Sequence, residues 1–361
     1  MGIKNLKTLI SSKDILAKSL TGQTIAIDAS ILLYQYFVMI RSYGSSGLQG
    51  LLKSDDGQET SHIQGFLSKC LKMIELGIKP IFVFDGIAPE LKKETLAKRK
   101  ALKKASRDTI DKLLVQLNNN NDEDQEQDQY QEQDQEEITD EINKLEKRSI
   151  HVTKEHVNQV KRLLTLLGLP YIDAISEAEA TCAQMCKDGL VYACVSEDFD
   201  CLAHGAPIFI RHLKFSDKKN DGPQEFKIVN VLKELELNYD EFVDLCILCG
   251  TDYNLNIRGI GPKTALKLIK EYKSIEEIAK VRPNVIIKDL SKIRALLKSP
   301  VTGLIDKNDI KFKRPDIVLL KKFLVEECSF NEELLSKRLE VLTKGSSLKG
   351  QTSITTFFKK A

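Results

Sequence analysis

The sequence predicts an α/β fold with a mostly parallel central sheet flanked by helices, and three observations carry that prediction. Four apolar runs bounded by turn residues, TIAID (24–28), KPIFVFD (79–85), GLVYACVSED (189–198) and APIFIRHL (206–213), are continuous rather than alternating. Such runs are the pattern of strands buried on both faces of a parallel sheet. The intervals between them keep helical period, and strands alternating with helices require a covered sheet. Beyond about residue 235 the pattern becomes wholly helical.

Along the chain, the first two runs end in Asp28 and Asp85. Helical period follows in HIQGFLSKCLKMIELG (62–77) and EHVNQVKRLLTLLG (155–168). Between those two, residues 118–140 are low in complexity and hydrophilic, so disorder is expected there. SEAEATCAQMCKDG (176–189) is a helix whose Ser176 and Glu179 fit an N-terminal capping box. The third run leads into SEDFD, with Asp198 and Asp200; the fourth is a further strand. YDEFVDLCILCG (239–250), GPKTALKLIKEY (261–272), SIEEIAKV (274–281), DIVLLKKFLVEEC (316–328) and NEELLSKRLEVL (331–342) are helices, and 344–361 lose periodicity as a tail.

Composition excludes several classes. With 42% apolar and 29% charged residues, the 361-residue chain reads as globular, with length for about two domains. ILLYQYFVMI (31–40) is too short for a membrane span and carries Gln35, and the first residues lack a signal-peptide pattern. The eight cysteines fall in apolar segments, which predicts buried free thiols and a reducing compartment rather than a zinc site. The net charge of +2 hides an asymmetry. Residues 122–141 hold 11 acids and no base, and without them 54 basic residues stand against 41 acids, a surplus of 13 that favours a polyanionic partner.

The acids point to chemistry. Parallel strands share a direction, so their carboxyl ends bring Asp28, Asp85, Asp198 and Asp200 to the edge where α/β sheets place their sites. The helix start adds Glu177 and Glu179. Acids there could simply cap helices and face water. Two carboxylates about 4 Å apart, however, repel by roughly 4 kcal/mol at an effective dielectric near 20. Six on one edge call for cations, and two divalent ions would also suit chemistry on phosphate.

MGIKNLKTLI, IAIDASILLYQY, FVFDGIAPELKKETLAKR, SEAEATCAQMC, SEDFDCLAHG and DLCILCGTDYNLNIRGIGPKTALKLI together resemble the flap endonucleases, structure-specific 5′ nucleases of DNA replication and repair. The resemblance runs from Met1 to the tail. It implies a helical arch, a C-terminal helical DNA-binding region and Mg²⁺, two ions per chain, held by Asp28, Asp85, Glu177, Glu179, Asp198, Asp200 and Asp252. Lys92 and Arg99 match the family's basic pair; taken alone, LKKETLAKRKALKK also reads as a solvated basic helix. Tyr34 matches the aromatic residue that stacks beside the scissile phosphate, Arg41, Glu177 and Arg211 match DNA contacts, and Lys69, a further DNA contact, stands where many relatives have Arg. Gly259, Gly261 and Lys263 lie in a turn resembling the family's duplex clamp, where K⁺ is also expected. Gln351, Ile354, Phe357 and Phe358 form a peptide similar to those that bind the sliding clamp, which implies a monomer on a trimeric clamp.

The implied organisation is a nuclease region with the first arm of the arch (1–110), the arch and its acidic insert (111–149), an internal nuclease region (150–256), a helical DNA-binding region (257–343) and the tail (344–361). The implied activity is 5′-flap endonuclease and 5′-exonuclease, without membrane association. The implied location is the nucleus, nucleolus and nucleoplasm, with the mitochondrion as a further site, although no basic import signal follows the clamp peptide. A related exonuclease or repair-incision enzyme, and a catalytically silent junction-binding scaffold, remain as alternatives.

Overall fold

The computed structural model describes residues 2–43, 60–121, 129–216, 221–254 and 256–344. Among them, seven strands form one sheet: β1 (Lys13–Asp14), β2 (Thr24–Asp28), β3 (Lys79–Phe84), β4 (Tyr171–Asp173), β5 (Ala193–Val195), β6 (Ile208–Arg211) and β7 (Gln224–Lys227). Their order is β1-β7-β6-β5-β2-β3-β4. The five strands from β6 to β4 run parallel, and β7 and β1 close one side antiparallel. Three strands escape the apolar-run criterion: β1 has two residues, β4 is an exposed edge (Tyr-Ile-Asp), and β7 (Gln-Glu-Phe-Lys) buries one hydrophobic residue.

Both faces of the central strands are buried. Ile25, Ile27, Phe82 and Phe84 face one core, while Ala26, Ile81 and Val83 face the other. Alternation of side chains thus sends successive apolar residues into two separate layers, which is why these strands read as unbroken runs.

The helices are α1 (Ala29–Tyr43), α2 (Ser61–Glu75), α3 (Lys93–Asn121), α4 (Gln129–Ser149), α5 (Lys154–Leu166), α6 (Ala178–Lys187) and α7 (Asp200–Ala203). They continue with α8 (Ile228–Leu235), α9 (Tyr239–Cys249), α10 (Pro262–Tyr272), α11 (Ile275–Val281), α12 (Leu290–Lys298), α13 (Ile317–Lys322) and α14 (Glu332–Lys344). None is long and apolar enough to cross a membrane. All eight cysteines are buried and unbridged.

Two expectations are corrected. The interval 118–140 is largely helical, since α3 extends to Asn121 and α4 starts at Gln129; only 122–128 lie outside the described residues. The two long helices pack together as an arch, and Arg107 Nη2 donates to the Ser149 carbonyl at 3.3 Å near its base. The capping box at Ser176 is also absent. Glu177 is the N-cap of α6 and makes no side-chain cap. The Ala178 N–H donates instead to Asp85 Oδ1 at 2.9 Å, so an acid from the neighbouring strand takes over the cap.

Candidate functional site

The carboxyl ends of β2, β3 and β5 open onto one edge, and each acid is held by local contacts. Asp28, the last residue of β2, is 1% exposed; its Oδ1 accepts from the Ile31 N–H at 3.0 Å and its Oδ2 from Ser196 Oγ at 3.0 Å. The same Ser196 oxygen accepts from the Asp198 N–H at 3.1 Å, so one hydroxyl links two strand ends. Asp85, just past β3, is exposed and fixed at its N–H by Ser30 Oγ at 3.0 Å. Asp198 Oδ1 accepts from the Asp200 N–H at 3.2 Å, and Asp200 Oδ1 from the Ile3 N–H at 3.0 Å. The N-terminal segment presses on this pair. Gly2 has φ +74°, and a Cβ there would lie 1.4 Å from Asp198 Oδ1, so only glycine fits.

Charge is crowded here. Burial and then Asp85 raise the Asp28 carboxyl to about 7. Burial, followed by Asp28 and Asp85, holds Glu179 well above the usual carboxylate range. Asp200 is lifted likewise by burial, then Asp198 and Asp252, and burial raises Asp198 as well. These mutual influences tie the strand-end acids into one cluster. Carboxylates that resist ionisation because of burial and then of their neighbours mark a candidate site.

Two cations reach the cluster from the base of the arch. Lys92 ends a short 3₁₀ turn (Glu90–Lys92) that leads into α3, and its Nζ lies 2.5 Å from Glu177 Oε1 and 3.3 Å from Asp252 Oδ2. Arg99 Nη2 meets Asp252 Oδ1 at 2.6 Å, and Thr95 Oγ1 donates to the Asp252 carbonyl at 2.7 Å. Burial works against the Lys92 charge, but Glu177, Glu179 and Asp252 outweigh it and hold the ammonium above the usual lysine range. The other Glu177 oxygen, Oε2, accepts from the Tyr253 hydroxyl.

All seven predicted acids and both predicted cations therefore converge. No group of three His, Cys, Asp or Glu side chains among the described residues is arranged to hold a metal ion as it stands. Lys92 instead bridges Glu177 and Asp252. The donor set itself is anionic, wholly oxygen and under mutual repulsion, which fits a hard divalent cation.

The predicted DNA contacts are more dispersed. Tyr34 is half-buried on α1, with Lys103 Nζ of the arch 5.8 Å from its ring centre. Arg41 lies in α1, but its side chain is outside the described residues. Lys69 donates to the Leu213 carbonyl at 3.2 Å, and burial lowers its pKa. Arg211 pairs with Glu197 at 3.5 Å and stacks 4.5 Å from the Phe199 ring centre. Gly259 takes φ +81° in the turn before α10, Gly261 is the N-cap of that helix, and Lys263 is exposed on its first turn. Gln351, Ile354, Phe357 and Phe358 lie outside the described residues.

Tyr253, Ser196, Ser30 and Thr95 complete the site and were not singled out in the sequence. Tyr253 and Ser196 do stand within GTDY and SEDFD, beside acids that were, so adjacency to a candidate ligand was the available signal.

An acid-lined sheet edge beneath a helical arch defines a structure-specific nuclease, a phosphodiester hydrolase. The chain matches the XPG N-terminal domain over residues 1–106 and the XPG I-region over 168–252. It is 41% identical to "Flap endonuclease 1" of Cryptosporidium parvum (strain Iowa II), over 100% of this chain and 74% of that protein. With "Flap endonuclease 1" of Glycine max the identity is 39%, over 99% of this chain and 91% of the relative. The solved flap endonuclease-1 from Methanococcus jannaschii superposes with a TM-score of 0.70 and 30% identity, covering 96% of this chain and 100% of that one. The chain belongs to the flap endonuclease family and is a 5′-flap structure-specific nuclease.

Proposed function

We propose that this nuclease is Mg²⁺-dependent, also acts as a 5′-exonuclease, and removes 5′ flaps in Okazaki fragment maturation and long-patch base excision repair. The observation that carries the metal-dependent reading is the Lys92 ammonium drawn between Glu177 Oε1 (2.5 Å) and Asp252 Oδ2 (3.3 Å) on an edge of seven acids. An edge that recruits side-chain cations in this way has charge to neutralise. Asp28, Asp85, Glu177, Glu179, Asp198, Asp200 and Asp252 would hold two Mg²⁺. Bound there, the ions would supply Lewis acidity to the phosphoryl oxygens and a nucleophile at neutral pH.

The chain's own residues do the rest. Lys92 and Arg99, turned from their carboxylates onto the scissile phosphate, stabilise the charge that develops on it. Tyr34 stacks on the adjacent base, and the junction frays so that the phosphate can descend to the acids. The arch of α3 and α4 admits the single strand. The start of α10, with Gly259, Gly261 and Lys263, takes duplex phosphates without reading sequence, and the Gly259–Gly261 turn would also hold K⁺. Arg41, Lys69 and Arg211 would position the duplex, Lys69 as a point charge rather than a fork. Gln351, Ile354, Phe357 and Phe358 would anchor the chain, as a monomer, to a trimeric sliding clamp in the nucleus. Incubation with labelled flap, nicked, hairpin and single-stranded RNA substrates tests the reading: flaps should be cut at the junction in Mg²⁺ and left intact in EDTA. Cutting in EDTA, or a preference for RNA, would overturn it.

A further inference from the structure

The carboxylate of Glu177 is held at both ends, and its two partners are anchored very differently. On Oε1 sits Lys92 Nζ, shared with Asp252 Oδ2 and carried on a long rotatable stem. On Oε2 sits the hydroxyl of Tyr253, a side chain only 7% exposed. The turn that carries Tyr253 is pinned in series. The Tyr253 N–H donates to Thr251 Oγ1 at 3.1 Å, Thr251 Oγ1 donates to Asn254 Oδ1 at 2.5 Å, and Asn254 Nδ2 donates to the Ile247 carbonyl in α9 at 3.0 Å. The phenol therefore has little freedom to leave, whereas the ammonium can swing away. Asp252 is the residue before Tyr253, so one turn both supplies an acid and grips a second acid from α6.

We infer that Tyr253 is a positioning residue of the nuclease site: its hydroxyl fixes Glu177 Oε2 so that Oε1 is the oxygen offered to a divalent cation, and Lys92 occupies Oε1 until the cation displaces it. The inference rests on reading the acid edge as a divalent-cation centre. Outer donors that orient a ligating carboxylate contribute to affinity by removing its rotational freedom, and losing one costs about 10–100-fold in metal affinity or activity. The two partners of Glu177 thus act with opposite sign. Tyr253→Phe keeps the ring and its packing but frees the carboxylate, which weakens cation binding. Lys92→Met removes a competing positive charge, which strengthens it. A purely structural tyrosine would not show this opposition.

The test uses the full chain without DNA, titrated with Mn²⁺ and read by the electron paramagnetic resonance signal of the free ion. Circular dichroism checks the fold of each variant. We expect Tyr253→Phe to raise the Mn²⁺ dissociation constant by about tenfold or more and Lys92→Met to lower it. In cleavage assays, the Mg²⁺ concentration giving half-maximal rate should rise in Tyr253→Phe, with flap-DNA affinity in EDTA unchanged. A folded Tyr253→Phe that binds Mn²⁺ as tightly as the parent chain overturns the role of Tyr253. Should that variant not fold, Lys92→Met decides: unchanged or weaker binding overturns the proposal. Failure of the parent chain itself to bind Mn²⁺ would instead remove the cation-centre reading on which the proposal stands.

Discussion

At the scale of single residues, the site trades stability for charge. The Asp28 carboxyl, raised to about 7 from an ordinary value of 3.8 by burial and Asp85, binds its proton more tightly folded than unfolded. Its contribution to stability is therefore full below about pH 4 and is lost as pH rises through about 7. In EDTA, Asp28→Asn should accordingly be more stable than the parent at pH 8, by on the order of a few kcal/mol, and nearly equal at pH 4. Urea unfolding at both values measures this, and identical stabilities at pH 8 would refute it. Lys92→Ala and Arg99→Ala should each slow single-turnover cleavage roughly 10²–10³-fold while weakening flap binding far less; equal losses would make them simple DNA anchors. Six of the seven acids were legible because strand ends and one helix start expose them in sequence. Asp252 was legible only through family resemblance, since its loop follows a helix. The grip of Tyr253 on Glu177 spans 76 residues, and that of Ser196 on Asp28 spans 168; no local pattern encodes either.

At the scale of elements, burial on both faces made β2 and β3 visible, and its absence hid β4 and β7. Local capping logic failed at α6 because Glu177 rather than Ser176 is the N-cap, and Asp85 from outside the helix accepts the Ala178 N–H. At the arch, a low-complexity composition suggested disorder where α3 continues to Asn121 and α4 begins at Gln129. That hairpin is electrically polar. The first half of α3 carries Lys93, Lys98, Arg99, Lys100, Lys103, Lys104 and Arg107, and α4 ends on Lys144, Lys147 and Arg148, whereas residues 129–141 of α4 hold acids and no base. The base of the arch is thus positive and its far end negative. Glu137, Asp140 and Glu141 are exposed, and replacing them with Gln, Asn and Gln should strengthen flap binding about two- to fivefold at low salt, a few tenths of a kcal/mol per charge. The gain should shrink as salt shortens the Debye length below about 10 Å. Equal dissociation constants across a salt series would make the acidic segment an inert spacer.

At the scale of the whole molecule, three regions distant in sequence meet at one edge: the strand ends with α6, the turn after α9, and the base of the arch. Basic character outside the acidic segment and an acidic centre within suit an enzyme that holds a polyanion while cutting it. The clamp peptide proposed for Gln351–Phe358 would act apart from this machinery. Phe357→Ala with Phe358→Ala should abolish stimulation by a sliding clamp and leave unstimulated cleavage unchanged, and a double variant still captured by the clamp would reject that assignment. The central claim is that the strand-end carboxylates form the hydrolytic centre. Its most direct test is single-turnover cleavage of a 5′-flap substrate in Mg²⁺ by Asp200→Asn, measured beside its flap-DNA dissociation constant. The account predicts a rate at least about 10²-fold lower, since losing a holding acid should cost no less than the roughly 10–100-fold for losing an outer partner, with the dissociation constant essentially unchanged. Cleavage by the folded variant at nearly the parental rate would contradict it.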